Sequence, residues 1–281
     1  MKAVIFAGGV GSRLKEETEL RPKPMVEIGG RPILWHIMKT YAHYGVTDFV
    51  LCLGYKGDVI RDYFLNYRNR RCDVTVTLGD PVLDIHGRHD EFGWRVTLAE
   101  TGAKTETAGR LEKVKRYLDG DTFLATYGDG VADIDLRELL RVHRASQKLC
   151  TVTAVRPSSR FGELSIQDGV VHTFEEKPQV SNSWINGGYM VFERPVLDMT
   201  LGEDDKLEDL LVRLTAERQL AVYQHHGFWQ CMDTLREMEL LNKLWSTGRA
   251  PWKIWDRAAA ELRVGGSALT NTLGGELLRN I

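Results

Sequence analysis

The sequence predicts an α/β fold: a Rossmann-like mixed, mostly parallel sheet with flanking helices and a small β-rich lobe. Three observations carry this. The first is "KAVIFA", an apolar run that ends in a glycine-rich loop. Unbroken apolarity over so few residues fits a strand buried on both faces, as parallel strands are. The second is the alternation of strand-like and helix-like stretches through the first half, which makes β-α-β units. The third is a change of character in the second half. There "GELSIQDGVVHTFEEKP" reads as two short strands joined by a Gln-Asp-Gly turn. Residues 1–255 read as one domain with the β lobe in its second half, and residues 256–281 as an extension or tail.

The elements follow in order. After the first strand and its loop, "RPILWHIMKTYAHYG" reads as a helix. Pro32 suits its first turn, Ile33, Ile37, Met38, Tyr41 and Tyr44 share a face, and Gly45 suits its stop. "DFVLCLG" is the second strand and "GDVIRDYFLNYR" the second helix. "DVTVTLG", "WRVTLAE" and "DTFLATYGDG" read as strands, the last running into a loop. "DIDLRELLRVHRASQ" is a helix capped by Asp135, and "CTVTAVRP" a strand. Beyond the hairpin, "INGGYMVFE" is a strand and "DDKLEDLLVRLTAE" a helix. "TLREMELLNKLW" is another helix, with Thr234 as its cap.

Composition narrows the function. The chain has 281 residues, 43% hydrophobic and 27% charged, as globular proteins do. A net charge of -2 argues against a general nucleic-acid binder. Cys52, Cys72, Cys150 and Cys231 form no C-x-x-C pair and read as small core hydrophobes in a reducing, cytoplasmic compartment. The apolar stretch of "MKAVIFAGG" is too short for a signal segment, and no run approaches a membrane span. Small-molecule substrates, without nucleic acid or membrane, are therefore expected.

The chemistry concentrates in "AGGVGSRLKEETELRPKP", Ala7 to Pro24. It follows a strand, at the carboxyl edge where open α/β folds bind ligands. Gly8, Gly9 and Gly11 let the backbone approach a phosphate, and Arg13 and Lys23 add positive charge. Pro22 and Pro24 stiffen the backbone that presents Lys23, which a merely solvated lysine would not need. The loop has no Walker Gly-Lys-Ser/Thr ending. It also has Leu14 where a dinucleotide fingerprint needs its third glycine, and no acidic residue closes the second strand. Asp129, between Gly128 and Gly130, puts a carboxylate at a strand end. Asp233 follows an apolar segment, where pattern alone favours a helix cap. Glu176 and Lys177 in "EEKP" read alone as a charged hairpin end, Asn186-Gly187 as a turn, and "GRLEKVK" as a solvated helix start.

"GGVGSRL" followed by "PKPMVEIGGRPIL" resembles the signature of the sugar-1-phosphate nucleotidyltransferases, and "YGDG", "EEKP", "INGGYMVF" and "FWQCMDT" fall in that family's order. The likeness runs from Met1 to about Trp255. Such enzymes join a nucleoside triphosphate to a sugar 1-phosphate and release pyrophosphate. Two polyanions must meet, so charge neutralisation and positioning do most of the work, with magnesium held on carboxylates. "GYKGDVI", "VTLAETG" before "GRLEKVK", "GFWQCMDTLRE" and "APWKIW" are most similar to members that pair CTP with glucose 1-phosphate.

The resemblance implies roles. Gly8, Gly9, Gly11, Ser12, Arg13, Lys23 and Gly128 hold the nucleotide, and base recognition falls on Gly8, Thr101, Gly109 and Arg110. Asp129 and Asp233 hold Mg2+, Glu176 and Lys177 bind the sugar phosphate, and Asn186 and Gly187 line the sugar pocket. Arg13, Lys23, Asp129 and Lys177 form the catalytic set. A homo-oligomer is implied, with "APWKIW" as a candidate contact. One departure stands out: Asp209 replaces the family's usual proline, while Glu208 is kept. Another nucleotide, another sugar, or a non-catalytic homologue remain alternatives. The last is disfavoured because Arg13, Lys23, Asp129, Lys177 and Asp233 are all present. His86 and His89, the pair His225-His226, and Ser158-Ser159 lack the partners a zinc site or nucleophile requires.

Overall fold

A computed structural model describes residues 1–9, 11, 14–79, 82–157, 163–167, 170–175 and 183–256. Ser12, Arg13, Glu176, Lys177 and the tail from residue 257 lie outside the described residues.

The chain begins with β1 (Lys2–Phe6), the glycine loop, α1 (Lys15–Thr18) and a 3-10 turn, Lys23–Met25. A small ribbon of β2 (Glu27–Ile28) and β3 (Arg31–Pro32) leads into α2 (Ile33–His43). Next come β4 (Asp48–Leu53), α3 (Gly57–Leu65), α4 (Tyr67–Arg71) and a hairpin of β5 (Asp73–Val76) with β6 (Leu83–His86). Then follow β7 (Arg95–Glu100), α5 (Thr107–Val114), β8 (Thr122–Tyr127), β9 (Gly130–Ala132), α6 (Leu136–Ser146) and β10 (Cys150–Val155). The rest is β11 (Glu163–Gln167), β12 (Val170–Glu175), β13 (Ile185–Glu193), α7 (Leu207–Ala216), β14 (Leu220–Gln224), β15 (Trp229–Cys231) and α8 (Leu235–Ser246).

Seven strands form the central sheet in the order β14-β10-β13-β8-β1-β4-β7. β13 runs antiparallel to both neighbours, and the other pairings are parallel. The fold is thus the mixed, mostly parallel sheet that the sequence predicts. Side-chain alternation explains the unbroken apolar runs. Ala3 and Ile5 of β1, with Phe49, Leu51 and Leu53 of β4, pack on the α2 side. Val4 and Phe6, with Val50 and Cys52, pack on the α5 and α7 side. Both faces are core, so both sets must be apolar.

The second half joins the first directly: β10, β13 and β14 extend the central sheet, and β11 and β12 form a separate two-stranded sheet. "DVTVTLG" forms the strand its pattern predicts, as β5 of an outlying hairpin with β6. "APWKIW" packs within its own chain, with Trp252 fully buried and Ile254 buried beside it. Trp252 stacks on Phe228 and donates its indole N–H to His36 Nδ1 at 3.3 Å. Among the described residues, no helix is long and apolar enough to cross a membrane.

Candidate active site

Parallel pairing of β1 with β8 sets two loops side by side at the carboxyl edge of the sheet. The Gly128 N–H donates to Phe6 O at 3.0 Å, which fixes the turn carrying Asp129 against the start of the glycine loop. Gly11 has φ +65°, a conformation that glycine adopts without strain. Gly8 is needed for another reason. A Cβ there would lie 2.1 Å from Arg110 Nη1, so the guanidinium occupies the space beside it.

Arg110, read alone as part of a solvated helix start, is buried. It donates to Leu53 O at 3.0 Å, Thr101 Oγ1 at 2.5 Å and Gly8 O at 3.2 Å. Thr101 is also buried and donates its hydroxyl to Leu53 O at 2.6 Å. Arg110 and Thr101 thus brace the loop from beneath. Gly109 is tightly packed as well. Its N–H donates to Asp205 O at 3.1 Å, and a Cβ there would meet Gly202 O at 2.6 Å. These contacts are with the turn before α7, which holds that N–H.

Lys23 sits in the 3-10 turn, whose flanking prolines fix φ at Pro22 and Pro24. Its ammonium lies 2.7 Å from Asp129 Oδ2 and also contacts Asp233 Oδ1 directly. Burial works against its charge. The two carboxylates outweigh burial and hold its pKa above the ordinary lysine value. Asp129 and Asp233 are distant in sequence, and a short pairing joins them. β9 and β15 run antiparallel, Gly130 opposite Cys231, and the Met232 N–H donates to Asp129 O at 2.8 Å.

Asp233 does not cap α8, as its pattern suggested. Thr234 is the cap, in a reciprocal capping box with Glu237. Glu237 Oε2 accepts the N–H groups of Asp233 and Thr234 at 2.7 and 2.9 Å, and the Asp233 carboxylate turns toward Lys23. Cys231 lies beside this group, but burial, and then Asp233, push its thiol up to about 12, so it stays protonated near neutrality.

Asn186 and Gly187 open β13 near the same pair of strands. Asn186 Oδ1 accepts the Gly188 N–H at 2.9 Å, and the Trp229 indole donates to Gly187 O at 2.8 Å. The Tyr189 hydroxyl donates to Gly130 O at 3.1 Å, tying β13 to the turn after Asp129. Glu208 meets the Tyr127 hydroxyl at 3.3 Å, and α7 forms with Asp209 in its first turn. The missing proline therefore does not stop the helix.

A cavity of about 290 Å³ opens where these parts meet. Gly8, Gly9, Gly11 and Lys23 line it, and so do Arg110, Gly128 and Asp129. Thr105, Glu106, Thr107 and Tyr127 complete the wall, and sequence reasoning missed them. Thr105, Glu106 and Thr107 carried no motif, and Tyr127 opens "YGDG" but was given no role. The available signal for the three was their place between "ETG" and Arg110. A second cavity of about 290 Å³, by α3 and β7, is lined mostly by apolar residues and includes the Glu91 carboxylate. Its lining residues include His89 but no Lys or Arg to hold a polyanion.

Asp129 and Asp233 direct carboxylate oxygens at one cationic centre, and the phosphate-sized cavity adjoins it. This fits Mg2+, which is held through one or two carboxylates with phosphate and water completing its shell. Among the described residues no third acidic, His or Cys ligand joins them.

Residues 2–238 match the nucleotidyl transferase family. The chain belongs to that family. Two relatives of the nucleotidyl transferase chain, from Salmonella typhi and Salmonella typhimurium, are each named glucose-1-phosphate cytidylyltransferase. Each is 48% identical over 258 residues, which covers 91% of this chain and 100% of theirs. The solved structure of HddC from Yersinia pseudotuberculosis is similar at a TM-score of 0.62 and 20% identity, covering 87% of this chain and 99% of that one. This last likeness speaks to the nucleotidyl transferase fold.

Proposed function

We propose that this chain is a glucose-1-phosphate cytidylyltransferase, which makes CDP-glucose and pyrophosphate from CTP and α-D-glucose 1-phosphate. The observation that carries this is 48% identity to enzymes of that name across their whole length. The Lys23 centre beside a glycine-lined cavity supports the chemistry.

A phosphate oxygen of glucose 1-phosphate attacks the α-phosphorus of CTP. The new P–O bond forms as the bond from that phosphorus to the pyrophosphate oxygen breaks. The loop of Gly8, Gly9, Gly11 and Ser12, with Arg13 and Lys23, neutralises the triphosphate. Gly128 leaves room beside it. Arg110 and Thr101 hold the loop from which Gly8 meets the base. Glu176 and Lys177 bind the sugar phosphate, and Asn186 and Gly187 bind the sugar hydroxyls. Asp129 and Asp233 would hold Mg2+, which when bound offsets the charge building on the phosphate oxygens. The chain is proposed to act in the cytoplasm as a homo-oligomer, which light scattering tests directly.

The test is pyrophosphate release with glucose 1-phosphate, Mg2+ and CTP, dTTP, UTP or GTP in turn. Release with CTP alone is the expected result. Release with a different nucleotide overturns the base assignment, and silence with all four overturns the sugar assignment or the activity.

A further inference from the structure

The Lys23 ammonium stands where a divalent ion would stand. It lies 2.7 Å from Asp129 Oδ2 and contacts Asp233 Oδ1, so it sits against one oxygen of each carboxylate. An ion bound to both oxygens sits at about 2.1 Å from each, inside the volume the ammonium already fills. Two cations cannot share that volume, since their repulsion at such distances in a partly dry site is severe. Lys23 is 8% exposed, so water cannot readily screen the conflict.

The backbone at Lys23 has little freedom. Pro22 and Pro24 flank it, and the turn is closed by Met25 N–H to Pro22 O at 2.8 Å and Val26 N–H to Lys23 O at 3.1 Å. Motion is therefore left to the flexible four-carbon stem. That stem has somewhere to go. Lys23 also lines the cavity with Gly8, Gly9 and Gly11, so a rotation carries the ammonium from the carboxylates to the phosphate side.

We propose that Lys23 is a built-in occupant of the divalent-ion site. The ion gains Asp129 and Asp233 only as nucleotide phosphates draw Lys23 away. The resting protein offsets one of the two carboxylate charges without a metal. Ion and nucleotide then load together, not the ion first. The exchange moves one positive charge onto the triphosphate at the moment the ion brings two to the carboxylates. This rests on the reading of Asp129 and Asp233 as the ion site.

The probe is Mn2+, counted by electron paramagnetic resonance with the full-length protein. Without nucleotide, wild type binds Mn2+ weakly, and Lys23→Met binds it about tenfold or more tightly, because the competing cation is gone. Lys23→Gln, which can still donate to both carboxylates and guards against a folding defect, tightens binding in the same direction. With an α,β-methylene CTP analogue, the nucleotide increases Mn2+ affinity by a larger factor in wild type than in Lys23→Met. Equal Mn2+ affinity of wild type and both variants without nucleotide overturns the exchange. Undiminished Mn2+ binding by Asp129→Asn with the analogue present overturns the ion site itself, a separate result.

Discussion

Met232 donates its backbone N–H to the carbonyl of Asp129 at 2.8 Å, and this one bond sets the geometry of the candidate site. It extends the β9–β15 pairing by a residue and brings Asp233 to the same ammonium, that of Lys23, that Asp129 contacts. The main chain does this work, so the Asp129 side chain is left for chemistry. Asp129→Asn should therefore keep the fold, moving the thermal midpoint by no more than about 4 °C. Turnover should drop about 100-fold or more, because a charge that meets the reacting phosphates is lost. Pyrophosphate release and a thermal melt measure both, and a variant with wild-type turnover would remove Asp129 from the mechanism.

Gly109 separates a packing role from a binding one. A methyl group there would lie 2.6 Å from Gly202 O and 2.7 Å from Glu203 O, both backbone atoms that cannot step aside. Gly109→Ala should cost about 1–3 kcal/mol in urea denaturation while leaving the KM for CTP close to wild type. The opposite outcome, intact stability with a many-fold higher KM, would return Gly109 to the base.

The sequence made the local features legible and left the joins obscure. The alternation in β1 and β4, the Asp135 cap and the Thr234 cap all depend on neighbours in the chain, and all formed where expected. Arg110 did not read correctly from its own segment, because what buries it is Gly8, Leu53 and Thr101, each brought in by tertiary packing. Pattern offered both Asp233 and Thr234 as caps for α8, a one-position choice that local propensity does not resolve, and Thr234 takes the role. The β9–β15 pairing joins two three-residue strands with nearly a hundred residues between them. Strands that short carry too little periodicity to be seen.

His36 predicts an acid-sensitive fold. Burial, reinforced by the charges of Arg31 and Lys253, lowers its pKa to about 4. Its Nε2–H donates to Ile28 O at 2.8 Å and its Nδ1 accepts from Trp252, so the neutral ring satisfies both partners. The unfolded chain binds the proton more readily, so stability rises with pH. The contribution is complete above about pH 6.5 and is lost as pH falls toward 4, about 3 kcal/mol in all. His36→Gln removes this titration. The stability gap between wild type and His36→Gln should narrow as the pH is lowered from 7 to 4. A gap that stays constant would mean the ring does not titrate as its surroundings require.

Tyr55 predicts an effect on nucleotide binding from outside the cavity wall. Its N–H donates to Gly8 O at 3.0 Å, and its hydroxyl donates to Thr18 O at 3.1 Å. One residue thus holds both ends of the glycine loop, and Lys56 beside it reaches the carbonyl of Glu19. Lys56 has φ +49°, a conformation unusual for a residue with a side chain, and it caps α3 there. Tyr55→Phe keeps the ring and the main-chain bond but removes the grip on Thr18. The loss of one such bond is worth about 1 kcal/mol. A loosened loop should raise the KM for the nucleoside triphosphate several-fold, while the KM for the sugar phosphate, whose proposed ligands lie on other segments, stays near wild type. Adding Lys56→Gly, which suits the positive φ and deletes the second grip, should raise the nucleotide KM further without lowering stability. Equal changes in both KM values would assign Tyr55 to general stability instead of to the loop.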